Sequence, residues 1–513
     1  MLAAVGAAFA VAKHRHWLDR VPAESRARKA YYSDLVRDMP TAANYKELGK
    51  ACAECADFEG ARVAYADAAK IYRDKQKPSL AYVADCYSQR YEVEVTPYVE
   101  VPFDKDATVG LYTNARFEPV SGCYSGAFID HEDAIRGTYR DEYGAWRRDL
   151  GTFNRLTGTH HAIFFMYLGY GRTFPTKFVQ HAHDVGAAAQ IAFEPASLEH
   201  VQDDTYPRSF ARAARKSNTP IFLRYASEMN GEWVPYHGDP DAYIEKFRLV
   251  AKVMHEEAPN VAMVWCPFET PTAPIPDYYP GPEAVDWVGV NIYSVPYWNN
   301  DPAHPAEWRN PADSLRTIYG LYAAKHPIMI CEYAASHRTS LDMADRTPFA
   351  LTKMSEMYAA LPRLYPRVKA ICWLSMDAIK HAIPGRRCND YSILEEDSLK
   401  TRYRELLNDP YYLQTVSTTP AAAPTRQEPL EDGHTLSGRV PLSAWVKIYD
   451  DHPRVVWRVD GDTKYDASHP GPYRWTLDTT TMRPGPATVE LIVDDEAGHE
   501  VAHVTRHVNI AAR

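Results

Sequence analysis

The chain has 513 residues, enough for two to four domains. Hydrophobic residues make up 45% and charged residues 24%, the values of a soluble globular protein. The net charge of −10 argues against a nucleic-acid partner, which needs a basic surface. Eight cysteines in a chain this long do not make a disulfide framework. Cys123, Cys266, Cys331 and Cys372 lie in or beside apolar runs and read as small buried filler. Cys52 and Cys55 have CxxC spacing with no second pair and no His pair, and read as two helix positions, with pairing to Cys86 as the alternative. No cluster has zinc spacing, so neither a metal nor a cofactor is expected.

Residues 1–12, MLAAVGAAFAVA, are apolar and precede KHRH. The run is too short to span a bilayer and lacks the basic start of a signal peptide. Residues 1–23 read as a truncated export signal or anchor, with a helix end as the alternative. Export to the medium or the cell envelope is the expectation.

Residues 24–95 read as helices. Tyr45, Leu48, Gly49, Phe58, Gly60, Ala61, Tyr65 and Ala68 recur at helical spacing about a short DFEG turn. The pattern resembles one tetratricopeptide-type hairpin. One copy cannot bury its faces alone, so it should pack on a third helix near 78–90, or on the next domain. It serves as a helical cap or as the docking face for a protein partner.

From 96 to 412, apolar runs of strand length alternate with helix-length segments. The runs are 122–129, 161–170, 187–195, 220–228, 261–268, 285–294, 327–334 and 368–377. Eight strand–helix units predict a closed parallel (β/α)8 barrel, an α/β fold. The runs are continuously apolar, as strands covered on both faces must be. Residues 413–433 are rich in Pro, Ala and Thr and read as a linker. Residues 434–513 alternate short strand patterns with turns, which predicts a β-sandwich. Their VDGDTKYD and PGPYRWTLDTTTMRPGPATVELIVDDEAGHE stretches resemble immunoglobulin-like modules of exported bacterial enzymes. Such a module binds carbohydrate or acts as a spacer.

In such barrels the active groups gather at the C-terminal ends of the strands. The acids there are Asp130, Glu194, Glu228, Glu269, Glu332 and Asp377. Some must be sugar-hydroxyl acceptors or anchors. Glu228 ends the fourth run and Glu332 the seventh. Two carboxylates about 5–5.5 Å apart across one mouth suffice for retaining glycoside hydrolysis. Burying Glu332 behind four apolar residues without a use would be costly. His160 and His161 precede the second run and read as structural or substrate-lining.

RYASEMNGEW at 224–233, PYWNN after the sixth run, CEYA at the seventh and WLSMD at the eighth carry a family likeness. The barrel resembles clan A glycoside hydrolases, and most closely family 26, the β-mannanase family. The resemblance implies Glu228 as acid/base and Glu332 as nucleophile. It implies Arg224 beneath the nucleophile, Tyr293 hydrogen-bonded to it, and Trp373 as a sugar platform. It implies Asn230 and Trp233 lining the cleft, with Glu194 and Asp377 also on the substrate side. Ser227 departs from the family, which usually has His before the acid/base. The expected activity is that of a retaining endo-β-glycosidase on a polysaccharide, β-mannan first. A β-glucanase, a β-xylanase, an exopolysaccharide hydrolase, or a non-catalytic binder on a retired barrel stay open.

Overall fold

A computed structural model describes residues 21–104, 110, 112–419, 421–449 and 452–511. Residues 1–20, which hold most of the expected export signal, lie outside the described residues. Among the described residues no helix is long and apolar enough to cross a membrane. The chain divides into two compact units, one of residues 101–294 and 314–426, the other of 1–100, 295–313 and 427–513.

The first unit is the barrel. Its strands are Cys123–His131, Ile163–Gly169, Ala188–Glu194, Ile221–Tyr225, Val261–Trp265, Trp287–Ser294, Ile328–Ala335 and Val368–Met376. Each pairs in parallel with the next. The eighth closes on the first, with Ala370 opposite Tyr124 and Trp373 opposite Ala127. All eight coincide with the predicted apolar runs, because a strand buried on both faces has no polar positions to spare. Helices such as Thr205–Ser217, Pro240–Glu257 and Thr347–Leu364 cover the outside. Asp204 and Asp239 cap the first two by accepting backbone N–H groups in the first turn.

Alternation decides which side chains face inward. Phe222 and Trp287 meet edge-on at 5.2 Å and fill the lower interior. Above them the interior is narrow. A Cβ at Gly289 would lie 2.6 Å from Cys331 Sγ and 2.8 Å from Cys266 Cβ. One at Gly126 would lie 2.6 Å from Cys372 Sγ. The three cysteines are therefore fillers matched to facing glycines, and all are reduced and buried. The outward residues Tyr225, Tyr333 and Trp373 pack beneath the helices, against Phe247, Tyr358 and Tyr403.

The seventh strand breaks the alternation. Its register against the sixth shifts between Ile330 and Glu332. Cys331 Sγ faces Gly289, while Glu332 reaches inward to Arg224. Two successive side chains thus share the inner side, which is what a β-bulge does.

Among its described residues the second unit holds the α-helices Ala23–Asp38, Ala42–Glu54, Phe58–Asp74 and Pro78–Gln89. Thr41 and Asp57 cap the second and third. Gly49 admits the Tyr65 ring, which an added Cβ would meet at 2.6 Å. The helices bury Phe58, Ala61, Tyr65 and Tyr91 against Trp308 and Tyr449. The unit also holds a four-stranded and a five-stranded sheet. Thr96, where the barrel was expected to begin, falls within strand Glu94–Pro102, which pairs antiparallel with Arg439–Lys447. Residues 413–433, expected as a bare linker, include strands Tyr412–Leu413 at their start and Thr425–Pro429. The first pairs with barrel strand one. A short strand pattern names no partner, so neither pairing is readable from the sequence.

The close approach at Gly289 generates a test. Gly289→Ala is expected to lower stability by about 1–3 kcal/mol through overpacking. Gly169→Ala, where an added Cβ meets nothing within 4 Å, is expected to change it little. Urea unfolding midpoints of the two variants check the contrast.

Candidate active site

The fourth strand delivers Arg224 inward and then breaks. Ala226 and Glu228 have φ of 47° and 61°, in the left-handed region that non-glycine residues avoid. Hydrogen bonds hold this turn in place. Glu228 N donates to Cys266 O at 2.8 Å, and Tyr243 OH donates to Ala226 O at 3.0 Å. Strained backbone held by its surroundings is typical of functional positions.

Glu332 is buried among donors. Arg224 Nη1 lies 2.5 Å from its Oε1. Tyr167 OH donates to the same oxygen at 2.7 Å, and Tyr293 OH donates to Oε2. Burial works against the Arg224 charge, but Glu332 beside it pushes the guanidinium pKa further above its ordinary range. The rings of Phe165 and Tyr167 lie 5.9 and 5.5 Å from the guanidinium carbon.

Glu228 accepts from Asn291 Nδ2 at 2.7 Å and from Trp233 Nε1 at 2.6 Å. Burial raises its pKa, and the nearby Glu332 charge raises it further, while the two donors oppose this. Arg224 Nη1 also donates to Asn291 Oδ1 at 3.2 Å. Glu228, Asn291, Arg224 and Glu332 thus form one unbroken chain of polar contacts between the two carboxylates. Trp233 is 44% exposed and Tyr167 42%, so both present aromatic surface at the open side of the site.

Ser227 and Glu194 form a support. Glu194 accepts from Ser227 N at 3.1 Å, Ser227 Oγ at 2.5 Å and Tyr236 OH at 2.6 Å. The Ser227 hydroxyl is thereby committed to a protein carboxylate. Burial raises the Glu194 pKa, with Arg224 opposing it.

Three expected residues differ from their expected roles. Trp373 is 1% exposed, lies between Tyr333 and Tyr403, and donates to Tyr391 O at 3.2 Å. It faces the helix layer because its neighbour Cys372 faces inward, so it is no sugar platform. Asn230 is buried, and its amide joins Phe268 N, Phe268 O and Pro271 O, each at 2.9 Å. It pins the loop after strand five and does not line the cleft. Asp377 caps the short helix Ala378–His381 and pairs with Lys380 Nζ at 2.7 Å, so its carboxylate is held by protein rather than turned to substrate.

Asp130 pairs with Arg147, and burial lifts its pKa to about 6. Glu269 is buried. His161 is buried between Asn154 Oδ1 and Tyr403 OH, with its pKa lowered by burial to about 3. His160 bonds to the carbonyls of Gln414 and Val185. Both histidines are structural.

Sequence reasoning missed Tyr167, Asn291 and Tyr236. A signal existed for two of them. Asn291 is a polar residue inside an apolar strand, two positions before Tyr293, and Tyr167 shares a face with Phe165. Tyr236 sits in a loop with no pattern.

Residues 209–307 match the model of Glycosyl hydrolase family 26. The span contains Arg224, Ser227, Glu228, Trp233, Asn291 and Tyr293, and Glu332 lies beyond it. Endoglucanase H of Acetivibrio thermocellus is 22% identical over 391 residues, 68% of this chain and 40% of the relative. Beta-1,3-xylanase TXYA of Vibrio sp is 33% identical over 103 residues, 19% of this chain and 22% of the relative. The chain thus spans under half the length of both curated relatives. Among solved structures, the catalytic domain of Bacillus sp. JAMB-750 GH26 endo-beta-1,4-mannanase aligns with a TM-score of 0.45 at 13% identity, covering 62% of this chain and 94% of that one. A GH26 beta-mannanase from Bacteroides ovatus aligns at 0.39 and 13%, covering 61% and 96%.

Trp233→Phe removes a donor to the charged form of Glu228, so the Glu228 pKa should rise. An acid that must be protonated then works to higher pH. The basic limb of kcat/KM on any hydrolysed glycan should move up by roughly half a pH unit, equal to about 0.7 kcal/mol. A pH–rate profile of the variant against wild type checks this.

Proposed function

We propose that this chain is a family 26 glycoside hydrolase that cleaves a β-linked polysaccharide with retention. The observation that carries the reading is the pair of carboxylates joined through Asn291 and Arg224, with burial and then the Glu332 charge raising the Glu228 pKa. A buried carboxyl raised in pKa beside a second carboxylate held by donors divides naturally into an acid and a nucleophile.

In the first step, Glu332 attacks the anomeric carbon while Glu228 protonates the leaving oxygen. Arg224, Tyr167 and Tyr293 fix the attacking carboxylate so that its orientation costs nothing at the moment of reaction. Ester formation removes the negative charge of Glu332. The repulsion that raised the Glu228 pKa then falls, and Glu228 can take a proton from water in the second step. Trp233 supports the same role switch by donating to whichever form of the carboxyl is present.

β-Mannan is the first substrate reading. A β-glucan or β-xylan is the second, favoured by Ser227. Its hydroxyl is engaged by Glu194 and offers the sugar less than an imidazole would. The names of the curated relatives, an endoglucanase and a β-1,3-xylanase, point the same way.

The test is hydrolysis of a mannan, glucan and xylan panel with product sizing. Wild type should release oligosaccharides from one polymer class. Glu332→Ala and Glu228→Gln should lose at least about 10³-fold in kcat, within the range that such machinery supplies. Proton NMR should show the first product with the substrate's anomeric configuration. An inverted first product would remove Glu332 as nucleophile, and zero product from wild type on the whole panel would favour a binding protein.

A further inference from the structure

We propose that His337, Asp390 and Glu395 bind one divalent cation of the zinc kind, at a site separate from the glutamate pair. His337 follows the seventh barrel strand. The two-residue strand Arg338–Thr339 pairs antiparallel with Asn389–Asp390, with Arg338 opposite Asp390. That ladder brings the histidine beside Asp390, and Glu395 follows a few residues later. One ligand atom from each of the three lies within 4.8 Å of the others.

The imidazole is the telling group. His337 is 1% exposed, and neither ring nitrogen has a hydrogen-bond partner. Its Nε2 faces Asp390 Oδ2 at 3.4 Å, a long approach that satisfies neither atom well. A buried polar group without a partner is costly, and a Lewis acid between the two would relieve it. Asp390 is already oriented for such a role. Its Oδ1 accepts from Ser392 N at 3.0 Å, which leaves Oδ2 turned to the imidazole.

Charge favours a cation. Arg338 is the guanidinium at this cluster, and its contacts with Asp390, Glu395 and Glu396 are 3.5, 3.7 and 4.0 Å. Arg338 thus reaches three carboxylates, all at the outer limit of contact, and of these Glu395 alone also has Lys380 Nζ nearby, at 3.4 Å. The adjoining trio of Asp133, Asp377 and Glu395 differs. Lys380 Nζ lies 2.7 Å from Asp377 and 3.4 Å from Glu395, so that trio already has its counter-ion. The Glu395 side chain is 23% exposed, which gives an ion an entry path and a water a fourth position.

One imidazole and two carboxylates suit zinc better than calcium, which prefers six or more oxygens. Ligands at about 2.0–2.2 Å in a tetrahedron require the three side chains to close by about 1 Å. Tyr391, next to Asp390, packs its ring 5.4 Å from that of Tyr293, which donates to Glu332. The ion would brace this wall of the site without touching the chemistry.

The full chain, stripped with chelator and dialysed, is titrated with zinc chloride by calorimetry and heated with and without the metal. Wild type should bind one equivalent tighter than about 10 µM and melt several degrees higher. Glu395→Gln, a change at a partly exposed position, should weaken that binding at least tenfold, and His337→Gln should abolish it. Circular dichroism checks that both variants fold. If His337→Gln does not fold, Glu395→Gln decides alone. Absence of zinc binding by wild type, affinity unchanged in a folded variant, or tighter binding of calcium than of zinc would overturn the proposal.

Discussion

The buried pair of Arg224 and Glu332 sets the terms for the rest of the barrel. Two charges in a low-dielectric interior are tolerable only with close approach and with their remaining lone pairs and protons used. Arg224 Nη1 makes the close approach at 2.5 Å, and the two tyrosines and Asn291 supply further contacts, while the buried Arg224 Nε is left without a hydrogen-bond partner. Arg224, Tyr167 and Tyr293, the donors to Glu332, come from three different strands, so the pair ties strands two, four, six and seven together. The same demand explains why Glu228 is reached through Asn291, which serves Arg224 with its oxygen and Glu228 with its nitrogen.

Two local distortions let the pair form. The bulge at Cys331 turns Glu332 inward without displacing the cysteine from the narrow layer below. The left-handed turn at Ala226 and Glu228 carries Glu228 past the end of the strand while Arg224 stays within it. Both cost conformational free energy, and both are held by hydrogen bonds to neighbouring strands and helices. The narrow layer of glycine facing cysteine is the complement of this arrangement. It keeps the interior small below the charged group.

The second unit answers a different constraint. Phe58 and Tyr65 of its helices cluster with Tyr91, just past the fourth helix, more aromatic surface than a lone hairpin can cover. Trp308 and Tyr449, far away in the sequence, complete that cluster. Lys447, buried in the same unit, is answered by Glu94 at 2.8 Å and Asp313 at 3.2 Å. Partners this remote carry no local pattern.

The sequence by itself determined the eight strands, because continuous apolar runs of that length are stable only when covered on both faces. It also marked Glu228 and Glu332, because a carboxylate at the end of such a run must have a use. The tertiary structure decided the rest. Trp373 and Asn230 looked like cleft residues, but strand parity turned the first outward and two backbone segments claimed the second. Tyr167, Tyr236 and the grouping of His337 with Asp390 and Glu395 depend on which strands and loops become neighbours. Chain order fixes which residues are buried or end a strand, whereas contact between distant residues is fixed only when the barrel closes.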